Sequence, residues 1–386
     1  MEEKKNLQIN PAPFNKKLKA YFIDFGSIIL LSLLICIISI SIFINSTYYK
    51  KQDQTINNQI DIMLKLTKEA NLSDEDENGN ILDLNDLYKK YAIGHILLSF
   101  NIDPTSFTNS NYTDIKNHEQ IKDKYFPIDV KTDYLANIYY NYFPNLNGEF
   151  NQPKYTDAST YFKEVLTTVN KDLSCFNMNL TYPTLKGEFA VSLYEYIVLE
   201  KKVDNQKGLD NNTLFADIFT KTFSYNSEQF QKLTFYQKEY NIYYSSYQSL
   251  AYITNLIYVL SYTISFVILT IFVSIMNKNH ITLGYKLTSL KLHSIRDKKI
   301  KFYQIVLKFL FEYLISFSSI FIISLLIGGN ALTFPLFNIS TFNINLFSFT
   351  ILSFILLSAN ILTSYIKKDK RSLSELLSNT IYIDLE

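Results

Sequence analysis

Four long apolar runs constrain this chain more than any other feature: Ala20–Asn45, Ser249–Met276, Gln304–Ile327 and Leu346–Ile366. Each reaches or exceeds the ~20 apolar residues that cross a hydrocarbon core of about 30 Å as a helix. Lipid offers no partner for a free backbone N–H or C=O, so such runs must satisfy their backbones internally. The expected fold class is therefore an all-α membrane protein with four transmembrane helices. The first run is about twice as long as the ~7–15-residue core of a signal peptide, and no small-x-small site follows Ile44, so it reads as an uncleaved span.

Basic residues orient the spans, because short cytoplasmic loops accumulate lysine and arginine. Lys4, Lys5, Lys16, Lys17 and Lys19 precede the first span. Lys278, Lys286, Lys291, Arg296, Lys298, Lys299 and Lys301 lie between the second and third, and Lys367, Lys368, Lys370 and Arg371 follow the fourth. The segment 328–345 carries no charge. The expected order is a cytoplasmic N-terminus (1–19), a first span (20–45), an extracytoplasmic domain (46–248) and a second span (249–276). A basic cytoplasmic loop (277–303), a third span (304–327), a short outer loop (328–345), a fourth span (346–366) and a cytoplasmic tail (367–386) complete it.

About 200 residues between the first two spans are enough to bury a core. From Thr47 to Gln248 there are 27 acidic and 20 basic residues, a net charge of −7, which excludes a nucleic-acid partner that needs clustered positive charge. Apolar positions three and four apart predict helices over Asn57–Ala70, Asp83–Phe100, Ala158–Leu173 and Glu188–Lys202. Thr213–Gln248 has the same pattern and leads into the second span, and weak strand character falls at Leu180–Leu185. Cys36 and Cys175 cannot form a disulfide framework, and His95, His118, His280 and His293 are too scattered for a metal site. No nucleotide-binding loop or hydrolase motif is present, so no enzyme activity and no cofactor are expected.

Two acids lie inside spans. Asp24 sits four residues past Ala20, about 6 Å along the helix. A carboxylate at that depth is costly and marks an ion or proton site, unless the helix N-terminus or Lys17 satisfies it. Glu312 is the second, with Lys308 one turn earlier on the same helix face. Lys17, Asp24, Lys308 and Glu312 fall at similar depth and suit either a cation or proton relay or an internally neutralised network. Asn360 in the fourth span is a candidate to join them.

In the inserted domain, Asp74, Asp76, Asn78 and Asn80 with Gly79 and Ile81 follow the first half of a calcium loop. The twelfth position is Asn85 where a bidentate glutamate belongs, and an acidic turn opening a helix explains the same residues. Asn-x-Ser/Thr sequences at Asn71, Asn111, Asn179 and Asn211 arise readily in an Asn-rich chain.

Two stretches belong together. Pro11 to Phe25 reads PAPFNKKLKAYFIDF, and Thr282 to Leu292 reads TLGYKLTSLKL between the second and third spans. Their order resembles the RDD family of small bacterial membrane proteins, named for an arginine before the first helix and two aspartates. On that resemblance Lys17 stands at the arginine and Asp24 at the first aspartate. Thr282, Gly284, Lys286, Leu287, Leu290 and Lys291 stand in the motif after the second helix. Lysine lacks arginine's planar fork, so bidentate pairing is lost, and Ser294 falls near the place of the second aspartate. The resemblance covers the membrane portion and leaves the inserted domain unaccounted for. It implies a multi-pass protein of a bacterial plasma membrane, transport of an unknown ligand or sodium/proton exchange, and, with only four spans, a homo-oligomer. The competing expectation is a membrane-anchored receptor or assembly protein whose outer domain binds a partner.

Overall fold

The computed structural model describes residues 11–70, 72–76, 78–107, 158–180, 182–200, 205–277, 281–295, 299–327, 335–339 and 342–385. Asn71, Asn111, His118 and His280 lie outside these residues, as do Lys4, Lys5, Lys278, Arg296 and Lys298. The chain divides into two compact units: Met1–Gln54 with Tyr244–Glu386, and Thr55–Tyr243.

Four helices are long and apolar enough to cross a membrane: Phe14–Ile44, Thr234–Met276, Phe302–Ile327 and Leu346–Ile366; all lie in the first unit except the start of the second, Thr234–Tyr243. Helix α1 (Phe14–Ile44) follows Pro13 and stops at Asn45 and Ser46. The Ser46 hydroxyl accepts from the Tyr49 N–H at 3.1 Å, and α2 (Thr47–Glu69) begins there. Phe22, Leu30, Leu34 and Ile42 on α1 face outward, as lipid contact requires.

Two spans are less regular than the sequence suggests. The second continues from its α-helix through a π-helical stretch, Val267–Phe272, to Val273–Met276. The third breaks at Phe317 and Ser318, between Phe302–Ser316 and Ser319–Ile327. Ser353 of the fourth span repairs the break: its hydroxyl accepts from the Ser318 N–H at 2.8 Å and donates to the Ile315 carbonyl at 2.7 Å. A kinked backbone persists in lipid only when a neighbour supplies such partners. Between the spans Ile28, Cys36, Tyr258, Tyr262, Phe266, Ile320, Ile323 and Leu346 form the core.

The inserted unit is mainly helical. Besides most of α2, it contains α3 (Leu84–Ile102), α4 (Ala158–Val169), α5 (Gly187–Ile197) and α6 (Gln206–Gln231). A break at Lys232–Leu233 separates α6 from α7 (Thr234–Phe266), so the stretch Thr213–Gln248 is two helices where one was expected. Strand β1 (Phe176–Asn177) pairs antiparallel with β2 (Thr184–Leu185), near the expected strand character. His95 is buried against Phe162, Phe176, Tyr182 and Phe215, and Cys175 is a buried free thiol in the same core.

An all-helical expectation misses two further antiparallel sheets. The basic segment forms a short helix, α8 (Leu283–Leu287), and strand β3 (Leu290–Ser294). After α9 (Phe302–Ser316) and α10 (Ser319–Ile327), the uncharged segment between the third and fourth spans contains strands β4 (Pro335–Ile339) and β5 (Phe342–Asn345), which pair antiparallel. Following α11 (Leu346–Ile366), the tail folds into α12 (Leu373–Ser378) and β6 (Thr380–Asp384), and β6 pairs with β3.

Candidate functional site

The first turn of α1, the α8–β3 segment, the start of α9 and the folded tail meet at one end of the span-bearing unit. The Ala12 N–H donates to the Tyr382 carbonyl at 2.8 Å, and Leu292 lies opposite Tyr382 in the β3–β6 pair. Gln304, fully buried, reaches Ser294 at 3.2 Å and the Asn379 carbonyl at 3.1 Å, tying α9 to a strand of the sheet and to the turn that precedes its partner. Ser294, near the expected second aspartate, thus holds an amide side chain.

Asp24 is fixed by the motif between the second and third spans. Its carboxylate accepts from the Thr282 hydroxyl and, at 2.7 Å, from the Gly284 N–H. Glycine is required at 284, because a Cβ there would lie 2.1 Å from the Ala20 carbonyl oxygen and 3.0 Å from the Asp24 carboxyl carbon. The rest of the motif divides by face. Leu290 is buried, Lys291 is half-buried opposite Ile383, and Lys286 and Leu287 are exposed.

Lys17, one of the groups offered to satisfy Asp24, pairs with a tail residue. Lys17, 5% exposed, contacts the two oxygens of the fully buried Glu375 at 2.8 and 3.0 Å and the Lys370 carbonyl at 2.9 Å. Glu375 belongs to a capping box on α12, where its carboxylate accepts from the Ser372 N–H at 2.7 Å. It also accepts from the Tyr382 N–H at 2.7 Å. Lys308 pairs with Glu312 at 2.5 Å, as the helical spacing predicts, and its ammonium lies 4.7 Å over the Tyr382 ring. Tyr382 stacks on Tyr285 at 3.8 Å. Burial first, reinforced by neighbouring acids, holds both phenols well above their ordinary pKa, so they stay neutral.

Two small cavities join these groups. One, about 20 Å³, is lined by Asp24, Glu312, Thr270 from the π-helical stretch, Thr282 and Ser316 among others, and has room for one water. The second, about 30 Å³, is lined by Lys17, Asn360, Ser364, Ser372, Ser374 and Glu375 among others. Tyr21, Tyr285 and Glu312 line both. The Tyr21 hydroxyl is buried with no hydrogen-bond partner among the described residues. Asn360 reaches the tail rather than a neighbouring span, accepting from the Ser374 N–H at 3.1 Å. The structure thus brings together Lys17, Asp24, Lys308, Glu312 and Asn360. Sequence reasoning missed Glu375, although Ser372-Leu-Ser-Glu375 is a legible capping box.

No family model, curated protein or solved structure matches the chain.

The calcium candidates belong to the inserted unit. The Asp76 carboxylate accepts from the Asn78 N–H at 2.9 Å and from the Asn80 N–H and side-chain amide at 2.8 and 3.0 Å. These bonds, the Asn80 side chain foremost, hold its pKa below the usual carboxylate value. Asp74 pairs with Lys90, and Gly79 supplies the positive φ of +80° that closes the turn. Among the described residues no group of three His, Cys, Asp or Glu side chains is placed to hold a metal ion.

Proposed function

We propose that this multi-pass membrane protein is an RDD-type exchanger or transporter of a bacterial plasma membrane, with both termini in the cytoplasm. Asp24 is the residue that takes a cation or proton, and Glu312 is its partner. The observation that carries this reading is the placement of both carboxylates on one water-sized cavity beside a π-helical turn and a broken span. Discontinuous spans and intramembrane acids together are the features by which ion pathways are built. The meeting of N-terminus, basic loop and tail at one end supports the four-crossing order, and the basic residues there support a cytoplasmic assignment. In this mechanism a cation entering the cavity displaces a proton from Asp24, while Thr282 and Gly284 hold the carboxylate in place. With four spans per chain, the working form is a homo-oligomer.

Proton movement in everted vesicles tests this directly. Sodium or potassium added outside should drive proton efflux with the native chain and not with Asp24→Asn. If native chain with verified insertion behaves like empty vesicles, exchange is refuted, and a receptor role for the inserted domain becomes the better reading.

A further inference from the structure

The tail residues Ser372–Asp384 are a separately fastened strap laid over the site. They leave α11 through a short link in which Lys370 has a φ of +54°, and α12 ends at Asn379 with a φ of +52°. Left-handed backbone at two non-glycine residues turns the chain back onto the bundle. Each fastening is specific. Glu375 holds Lys17 of α1, Ser374 caps onto Asn360 of α11, and β6 pairs with β3 along Leu290–Ser294. Asp384 meets Lys16 at 2.9 Å.

Beneath the strap lies the second cavity, with Ser372, Ser374 and Glu375 on its tail side and Lys17 on its span side. Tyr21, Tyr285 and Glu312 line both this cavity and the one that holds Asp24. We infer that the strap is the gate at this end of the Asp24 cavity: docked, it seals the cavity from water, and released, it opens a route past Glu312. The inference rests on the Asp24–Glu312 cavity being the working site, and it adds how that site is closed.

The fastenings suit a gate better than a fixed wall. The buried pair Lys17–Glu375 satisfies both charges only while the strap is docked. Release exposes both to water, which solvates them, so opening exchanges one satisfied state for another instead of stranding a charge in the bilayer. The strap is further held by the β3–β6 pair, the Ala12 N–H on the Tyr382 carbonyl, Gln304 on the Asn379 carbonyl, the Tyr382–Tyr285 stack and the partly exposed Lys16–Asp384 pair, all of which are lost together on release.

Accessibility of a single thiol tests this. With Cys36 and Cys175 replaced by serine, Ser316→Cys places a reporter on the Asp24 cavity, at a position 3% exposed. The full-length protein in lipid nanodiscs is treated with a small charged methanethiosulfonate. Reaction is expected to be slow with the strap present and at least an order of magnitude faster when the chain stops after Arg371. Ile383→Pro, which removes a β6 N–H and disturbs its pairing without shortening the chain, should raise the rate part-way and guards against misfolding of the truncated form. Equal rates in all three proteins, or fast reaction in the full chain, would overturn the gate. Faster labelling without any ion flux would leave the gate standing and remove the exchange reading alone.

Discussion

Replacing Lys17 with methionine should lower the free energy of opening of β6 by about 3–5 kcal/mol, because it strands the Glu375 carboxylate in a site with no exposure. Glu375→Gln should cost a similar amount by stranding the ammonium, with the Lys370 carbonyl at 2.9 Å left as its acceptor. The double variant should recover most of the loss, since removing both members of a buried pair leaves no charge unpaired. Lys16→Met is the contrast. Its pair with Asp384 has side chains 33% and 18% exposed, so its loss should cost no more than about 1 kcal/mol. Native-state hydrogen exchange at the Tyr382 amide, which donates to Glu375, reads all four variants locally. Additive losses in the double variant would show that the two residues do not act as a pair.

Gly284→Ala should be nearly as damaging, for a steric reason. The added methyl would fall 2.1 Å from the Ala20 carbonyl oxygen, a backbone atom that cannot swing aside. Helix α8 must then back away from α1, which costs about 1–3 kcal/mol in overpacking. The bond from the residue 284 N–H to the Asp24 carboxylate also weakens, at a further cost of about 1.5–3 kcal/mol. Gly26→Ala, two residues beyond Asp24, should do the opposite. No atom lies within 4 Å of its added Cβ, and alanine is the better helix former by roughly 0.5–1 kcal/mol. Protection of the residue 284 amide should fall sharply in the first variant and stay native in the second. Equal protection in both would mean that the glycine is not held against α1.

The parts of this site that were legible in the sequence are those with a local signature. Hydropathy alone locates the four spans, and the fourth coincides with its helix, Leu346–Ile366. Asp24 and Glu312 stand out as acids in apolar runs, and Lys308 is placed by helical spacing four residues earlier. Thr282 and Gly284 could be singled out only through a resemblance. Their task, holding Asp24 and fitting against Ala20, lies across 258 and 260 residues of sequence from Asp24. Glu375 is 358 residues from Lys17, and nothing in either local pattern points to the other. The capping box gives Glu375 a sufficient local purpose and so conceals its second one. The break in the third span is hidden for a related reason. Ser318 and Ser353 make it tolerable, yet buried serines are scattered through all four spans.

Disulfide trapping is the most direct test that the tail folds back to build the site. In a chain with Cys36→Ser and Cys175→Ser, Lys291→Cys and Ile383→Cys face each other across β3 and β6. Facing residues in an antiparallel pair have Cα atoms about 4.5–5.5 Å apart, inside the range a disulfide spans. The pair Lys291→Cys with Ile381→Cys, offset by two residues, should not bridge. Rapid oxidation of the first pair and not the second is the expected result. No cross-link in either, or equal cross-linking in both, would contradict the docked tail and with it the site assembled around Lys17, Asp24 and Glu312.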